Sequence, residues 1–132
     1  MMDITWKYVK QLKKNDVIEE FEKKYICSFP QDLKDCLIKN NGGRPSLKYY
    51  DLGNEKDKEF KTLFSFNEDD IENIYKYMPL DSSDKTLIPF ASDPAGNIFV
   101  VKNNSIGLWF HESDEVIIIA NTFSEFLSKL HD

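Results

Sequence analysis

The sequence predicts an α+β fold with N-terminal helices, an antiparallel β-meander of about four to six strands, and a C-terminal helix packed on the sheet. Three observations lead there. Apolar residues recur at helical spacing in the first half, short apolar runs alternate with tight turns between Leu87 and Ala120, and a capping motif opens a last amphipathic segment at Thr122. Helices followed by a meander and a helix, without alternating βαβ units, argue against a doubly wound sheet. At 132 residues the chain makes one domain, residues 1–132. Ten Phe, six Tyr and two Trp serve a core that needs no staples.

Thr5 to Leu12 reads as a short helix, with Trp6, Val9 and Leu12 on one face. Asn15 or Asp16 can cap the next, in which Val17, Ile18, Phe21 and Tyr25 form an apolar stripe. Pro30 suits the first turn of a third helix, which presents Leu33, Cys36 and Leu37 and stops at Asn41-Gly42-Gly43. Arg44 to Lys61 is polar and carries the mixed-charge run Glu55-Lys56-Asp57-Lys58-Glu59, a loop or weakly ordered hairpin insertion. Phe60 to Phe66 is aromatic enough for a strand. Asn67 then caps a helix through Ile71, Ile74, Tyr75 and Met78 that Pro79 ends.

Leu87 to Ala91, Asn97 to Lys102, Gly107 to His111 and Glu115 to Ala120 read as strands. The turns between them are Asp93-Pro94-Ala95-Gly96, Asn103-Asn104 and Ser113-Asp114, short enough to make neighbours antiparallel. Pro89 has no N–H to donate and marks an unpaired side of its strand. Thr122-Phe123-Ser124-Glu125 is a capping box, and Phe123, Phe126, Leu127 and Leu130 share the face that must cover the sheet.

The longest apolar run, Val116 to Ala120, falls far short of the roughly 20 residues that span a bilayer, and the N-terminus has no basic-then-apolar leader. A cytoplasmic protein without a membrane partner is expected. Cys27 and Cys36 have neither CxxC nor Cys/His spacing and read as free thiols. Net charge is 17 − 23 = −6; residues 1–50 carry 10 − 7 = +3 and residues 51–132 carry 7 − 16 = −9. An acidic body argues against nucleic acid, whose binding needs cations on phosphates, and suits a basic protein partner.

Three pieces then fall in order: Ile18 to Phe21 through Phe29-Pro30 and Leu37 to Gly43; Ile88-Pro89-Phe90-Ala91-Ser92-Asp93 with Gly96-Asn97; and Gly107 to His111 followed by Ala120-Asn121-Thr122-Phe123-Ser124-Glu125-Phe126-Leu127. Together they resemble the SUKH superfamily, which includes fungal cell-wall-synthesis regulators and many bacterial immunity proteins, over roughly residues 15 to 130. The resemblance implies an α+β domain without catalytic activity or cofactor. In bacteria it implies a protein that binds and neutralises a cognate secreted toxin, often of nuclease or deaminase type; the acidic surface adds the expectation that it does so by covering the toxin's basic cleft. The fungal relatives suggest the alternative of a regulatory scaffold. The chain departs from the family pattern at Pro94 and Ala95, where glycines are usual, and in Lys48 to Lys61, an insertion suited to specificity.

Candidate partner-binding residues are Glu68, Asp69, Asp70 and Glu72, whose carboxylates can meet a basic surface but equally suit the first turn of a helix. Asp93 flanks a turn and, like most turn aspartates, is expected to hydrogen-bond its own backbone. Trp109 and Phe110 point to opposite faces of one strand, and Trp109 makes an interface anchor if it is the exposed one. Glu112 lies beside His111, Asp114 and Glu115 in a polar turn. That group lacks a nucleophile at an elbow and a phosphate loop, so neither catalysis nor a metal site is expected of it. The chain is expected to be a monomer or a weak homodimer, with an edge strand near Pro89 or Phe60–Phe66 free to pair with another copy.

Overall fold

Residues 3–132, described by a computed structural model, form three α-helices and nine strands. In chain order these are β1 (Trp6–Lys7), α1 (Val17–Tyr25), α2 (Gln31–Lys39), β2 (Arg44–Pro45), β3 (Tyr49–Leu52), β4 (Glu55–Glu59), β5 (Thr62–Leu63), β6 (Ile88–Ser92), β7 (Ile98–Lys102), β8 (Ser105–Phe110), β9 (Glu115–Ala120) and α3 (Phe123–Ser128). The fold is α+β, with every strand pair antiparallel.

The meander is a five-stranded sheet in the order β5-β6-β7-β8-β9, each strand beside its sequence neighbour. Phe99 pairs with Leu108, and Leu108 with Ile117, so these three share one face. The α3 helix covers that face: Phe126 sits 5.6 Å from Phe99, and the rings of Phe60, Phe90, Phe123 and Tyr50 close around them. Thr122 caps α3 as expected, its Oγ1 accepting from the Glu125 amide at 3.0 Å, while the Glu125 carboxylate accepts from the Asn121 amide. At Pro89 only β7 pairs with β6, because bonding on the β5 side ends with the Phe64 amide on the Phe90 carbonyl. Gly107 is required by close approach: a Cβ there would meet Val116 Cγ1 at 3.0 Å and the Ile117 carbonyl at 3.1 Å.

A second apolar cluster gathers around α1, where Phe21 packs against Tyr25, Phe29, Phe66 and Tyr75. The stripe expected from Val17 to Tyr25 faces it, although Asp16 precedes the helix without a side-chain cap bond. The α2 helix ends as read, with Gly42 in the left-handed region at φ 69°. Cys27 and Cys36 are free thiols, and burial pushes the Cys36 thiol up to about 11.

Three expected elements differ, and Arg44–Lys61 takes the hairpin form of its two expected alternatives. Thr5–Leu12 is extended rather than helical: Trp6 and Lys7 pair with Pro45 and Arg44, the Thr5 carbonyl accepts from the Ser46 amide at 2.8 Å, and the Lys10 amide donates to Asn41. Those long-range partners take the backbone groups that a helix would have used. Phe60–Phe66 contributes only the two-residue β5, although Phe60, Leu63, Phe64 and Phe66 are all buried. Arg44–Lys61 is ordered as the β3/β4 hairpin, because Tyr50 is fully buried and packs its ring on Phe99 and Phe126. Asn67–Met78 holds no α-helix. A single 3-10 turn, Ile74–Lys76, is capped by Asn73, and the Ser65 amide and carbonyl bond Glu72 and Ile74 across the loop instead.

Candidate interaction surface

The Asn67–Asn73 loop is held from below by buried amides. The Asn41 side chain donates to the Lys10 carbonyl (2.8 Å) and to Ser65 Oγ (3.0 Å) and accepts from the Phe66 amide (2.8 Å). Asn67 donates to the Gln11 carbonyl at 2.9 Å and accepts from the Lys13 amide at 3.0 Å; Asn73 donates to the carbonyls of Glu68 and Asp70. Ser65 Oγ donates to the Asp70 carboxylate at 2.5 Å. One buried layer thus ties residues 10–13, 41 and 65–73 together, and each polar group in it has a partner.

That layer decides what the four loop carboxylates do. Asp70 is drawn inward by Ser65 and Asn67. Asp69 pairs with the Lys13 ammonium, whose hydrogen bond holds the carboxyl below its usual range. Glu72 lies 3.3 Å from Lys61. Glu68 is exposed and makes no side-chain contact to a cation among the described residues. The surface is therefore of mixed charge rather than a free acidic cluster. Its exposed pairs are screened by solvent and weak, so that a partner's Arg or Lys can replace Lys13 or Lys61.

Two hollows flank the loop and share Asp69. One, of about 450 Å³, has Val17, Phe21, Tyr25, Phe66 and Tyr75 as its floor and Lys13, Lys14, Glu20, Lys24 and Glu68 around its mouth. The other, of about 470 Å³, is lined by Tyr8, Lys10, Arg44, Thr62, Ser65, Asp70, Ile71 and Glu72. Ile71 is 83% exposed and Tyr8 68% exposed, with the Arg44 guanidinium 5.6 Å over the Tyr8 ring. Two large apolar side chains held out beside a charged rim form the kind of patch that partners cover.

Ile71 and Tyr8 escaped the sequence reading for one reason. Both sat in expected helices, which put Ile71 on a buried face. The signal available was the neighbouring Asn67 and Asn73, residues that serve loops more readily than helix interiors.

Asp93, Trp109 and Glu112 line neither hollow. Asp93 is buried and accepts from the amides of Ala95 (2.9 Å) and Asn97 (2.8 Å), the turn-holding role expected of it. Trp109 is only 5% exposed, so the condition for an anchor is not met; its indole N–H donates to Asp114 at 2.7 Å. Asp114 also accepts from the Ser83 amide and Ser82 Oγ, and these bonds hold its carboxyl far below the usual range. It thereby clasps the 82–83 segment to the β8–β9 turn. Glu112 is exposed in that turn.

At the foot of the β3/β4 hairpin, His131 Nε2 lies 3.2 Å from Asp51 and 3.8 Å from Asp57. Of the described residues these three would offer a cation its ligand atoms, all lying within 4.8 Å of one another. The imidazole also bonds the Asp132 carbonyl, and that bond together with Asp51 and Asp57 raises its pKa. Backbone bonds between His131 and Tyr49 fix this clasp to β3.

No helix among the described residues is long and apolar enough to cross a membrane. A comparison with protein-family models matches residues 14–129 to the SMI1 / KNR4 family (SUKH-1). A comparison with curated proteins gives no match.

Proposed function

The chain belongs to the SMI1 / KNR4 family (SUKH-1), and from that premise we propose that it is an immunity protein. It acts in the cytoplasm by binding a cognate secreted toxin of nuclease or deaminase type and covering its basic substrate cleft, with no chemistry of its own. The observation that carries this reading is Ile71, exposed in one hollow with Tyr8 and with the charged groups Lys10, Arg44, Asp69 and Glu72 around them. An apolar anchor inside a charged ring supplies binding energy at its centre and register at its edge. The net charge of −6 on the whole chain favours the encounter with a cation-rich cleft.

The experiment is capture of the toxin encoded beside the gene, followed by a protection assay in cells that express it. A tight, salt-sensitive complex that Ile71→Lys weakens by about a hundredfold is expected, as for a central anchor worth roughly 2–3 kcal/mol. Failure of the wild-type protein to bind or to protect overturns the reading.

A further inference from the structure

We propose that His131, Asp51 and Asp57 form a zinc site that clamps the 131–132 segment to the β3/β4 hairpin. The three residues come from separate stretches of chain, β3, β4 and the residues after α3, and aim one ring nitrogen and two carboxylate oxygens at a common point, all within 4.8 Å of one another. His131 Nε2 stands 3.2 Å from Asp51 Oδ1 and 3.8 Å from Asp57 Oδ1. Ligand atoms about 2.0–2.2 Å from a tetrahedral zinc stand about 3.3–3.6 Å apart, so both separations already approximate the edges of such a site. Asp57, the most exposed of the three, has room to close the remaining edge.

The orientation of the imidazole points the same way. Its Nδ1 lies 2.9 Å from the Asp132 carbonyl, and because a carbonyl only accepts, Nδ1 carries the hydrogen. A bond from the far ring nitrogen to a carbonyl is the outer contact that metal-bound histidines use. In the neutral ring the Nε2 lone pair then faces two carboxylates, three acceptors without a donor among them. A proton placed on Nε2 serves Asp51 and leaves Asp57 beyond hydrogen-bond distance, whereas a divalent cation serves all three. Lys56 meets Asp51 through the other oxygen, Oδ2, at 3.6 Å and leaves Oδ1 to the ion. Backbone bonds hold the donors in place: His131 and Tyr49 exchange two, and the Asp57 amide donates to Asp51 Oδ1 at 3.0 Å. One imidazole and two carboxylates, with water in the fourth position, suit Zn2+; Mg2+ and Ca2+ prefer oxygen alone. The ion lies on the solvent side of a hairpin whose other side is held by the buried Tyr50, and gives that segment a second anchor.

The test is calorimetric titration of the full chain, first stripped with a chelator, with Zn2+ and separately with Mg2+. One zinc per chain, without comparable magnesium binding, is expected. Asp57→Asn keeps a residue at ease in the left-handed region that Asp57 occupies at φ 55°, and it should weaken zinc binding by roughly tenfold or more, as should His131→Gln. Melting curves in chelator report that both fold. The double exchange Cys27→Ser, Cys36→Ser should bind zinc as the wild type does. In the wild type itself, zinc should shift the ring resonances of His131 and not those of His111, and should slow amide exchange in residues 49–59. A wild type that takes up no zinc overturns the proposal, as does binding that survives Asp57→Asn and His131→Gln, that is lost with the two cysteines, or that shifts His111 instead. Equal binding of magnesium overturns zinc as the ion.

Discussion

The meander β6–β9 and the loop Asn67–Asn73 are both well anchored, by opposite means. In the meander, backbone ladders satisfy the polar groups and leave the side chains of Phe90, Phe99 and Leu108 free to be buried. In the loop, the side chains of Asn41, Asn67 and Asn73 do the anchoring, which leaves Glu68 and Ile71 free to face solvent. Ladders spend the backbone and give a core; buried amides spend side chains and give a shaped surface. The first holds the fold together, and the second presents what a partner can read.

Four changes would break or sharpen that contrast. Phe99→Ala removes a fully buried ring that meets Tyr50, Phe60, Phe90 and Phe126, and should cost about 3–5 kcal/mol in denaturant unfolding. A loss under about 1 kcal/mol would mean that the meander does not carry the fold. Asn41→Ala leaves the Phe66 amide and the Lys10 carbonyl without their partner and should cost about 1–3 kcal/mol. Hydrogen exchange should rise in residues 66–73 before it rises in β7 and β8. Uniform loosening would sink the idea of separate anchoring.

Ile71→Lys should change stability by no more than about 0.5 kcal/mol, because the side chain is already in water. Thermal unfolding checks this, and a large loss would make Ile71 a packing residue rather than a surface one. The smallest effect concerns pH. The pKa of His131 is raised in the folded state, so its clasp on Asp51 stabilises most below the ordinary imidazole range and is lost as pH rises through the folded value. Amide protection of the β3/β4 hairpin should therefore fall, relative to that of β7, as pH rises from the ordinary imidazole range through the raised folded-state value. In His131→Asn that pH dependence should vanish; a hairpin that loosens equally in both proteins would clear His131 of the role.

The elements that the sequence makes legible share a property. Their determinants are local: alternation and tight turns in β6–β9, a capping box in α3, the stripe from Val17 to Tyr25, and Gly42 after α2. Asp93 belongs with them, because it bonds its own turn. The segments misread or left open are those whose partners lie far along the chain. Thr5 and Lys10 are taken by Ser46 and Asn41, Tyr50 by Phe99 and Phe126, and Asn67 by Gln11 and Lys13.

The candidate surface was half readable. Its carboxylates stood out as a cluster, but their pairing with Lys13, Lys61 and Ser65 and the outward turn of Ile71 did not. Which aromatic of the Trp109–Phe110 pair is buried was equally open. Alternation separates two faces of a strand without saying which is covered; here Asp114, Ser82 and Ser83 close over the Trp109 side. Class of fold, order of strands and the family pattern are thus written in short-range periodicity and turn chemistry. Which polar side chains become scaffold and which remain on offer to a partner was set by contacts across dozens of residues, because a buried donor or acceptor must find its mate wherever the folded chain brings one.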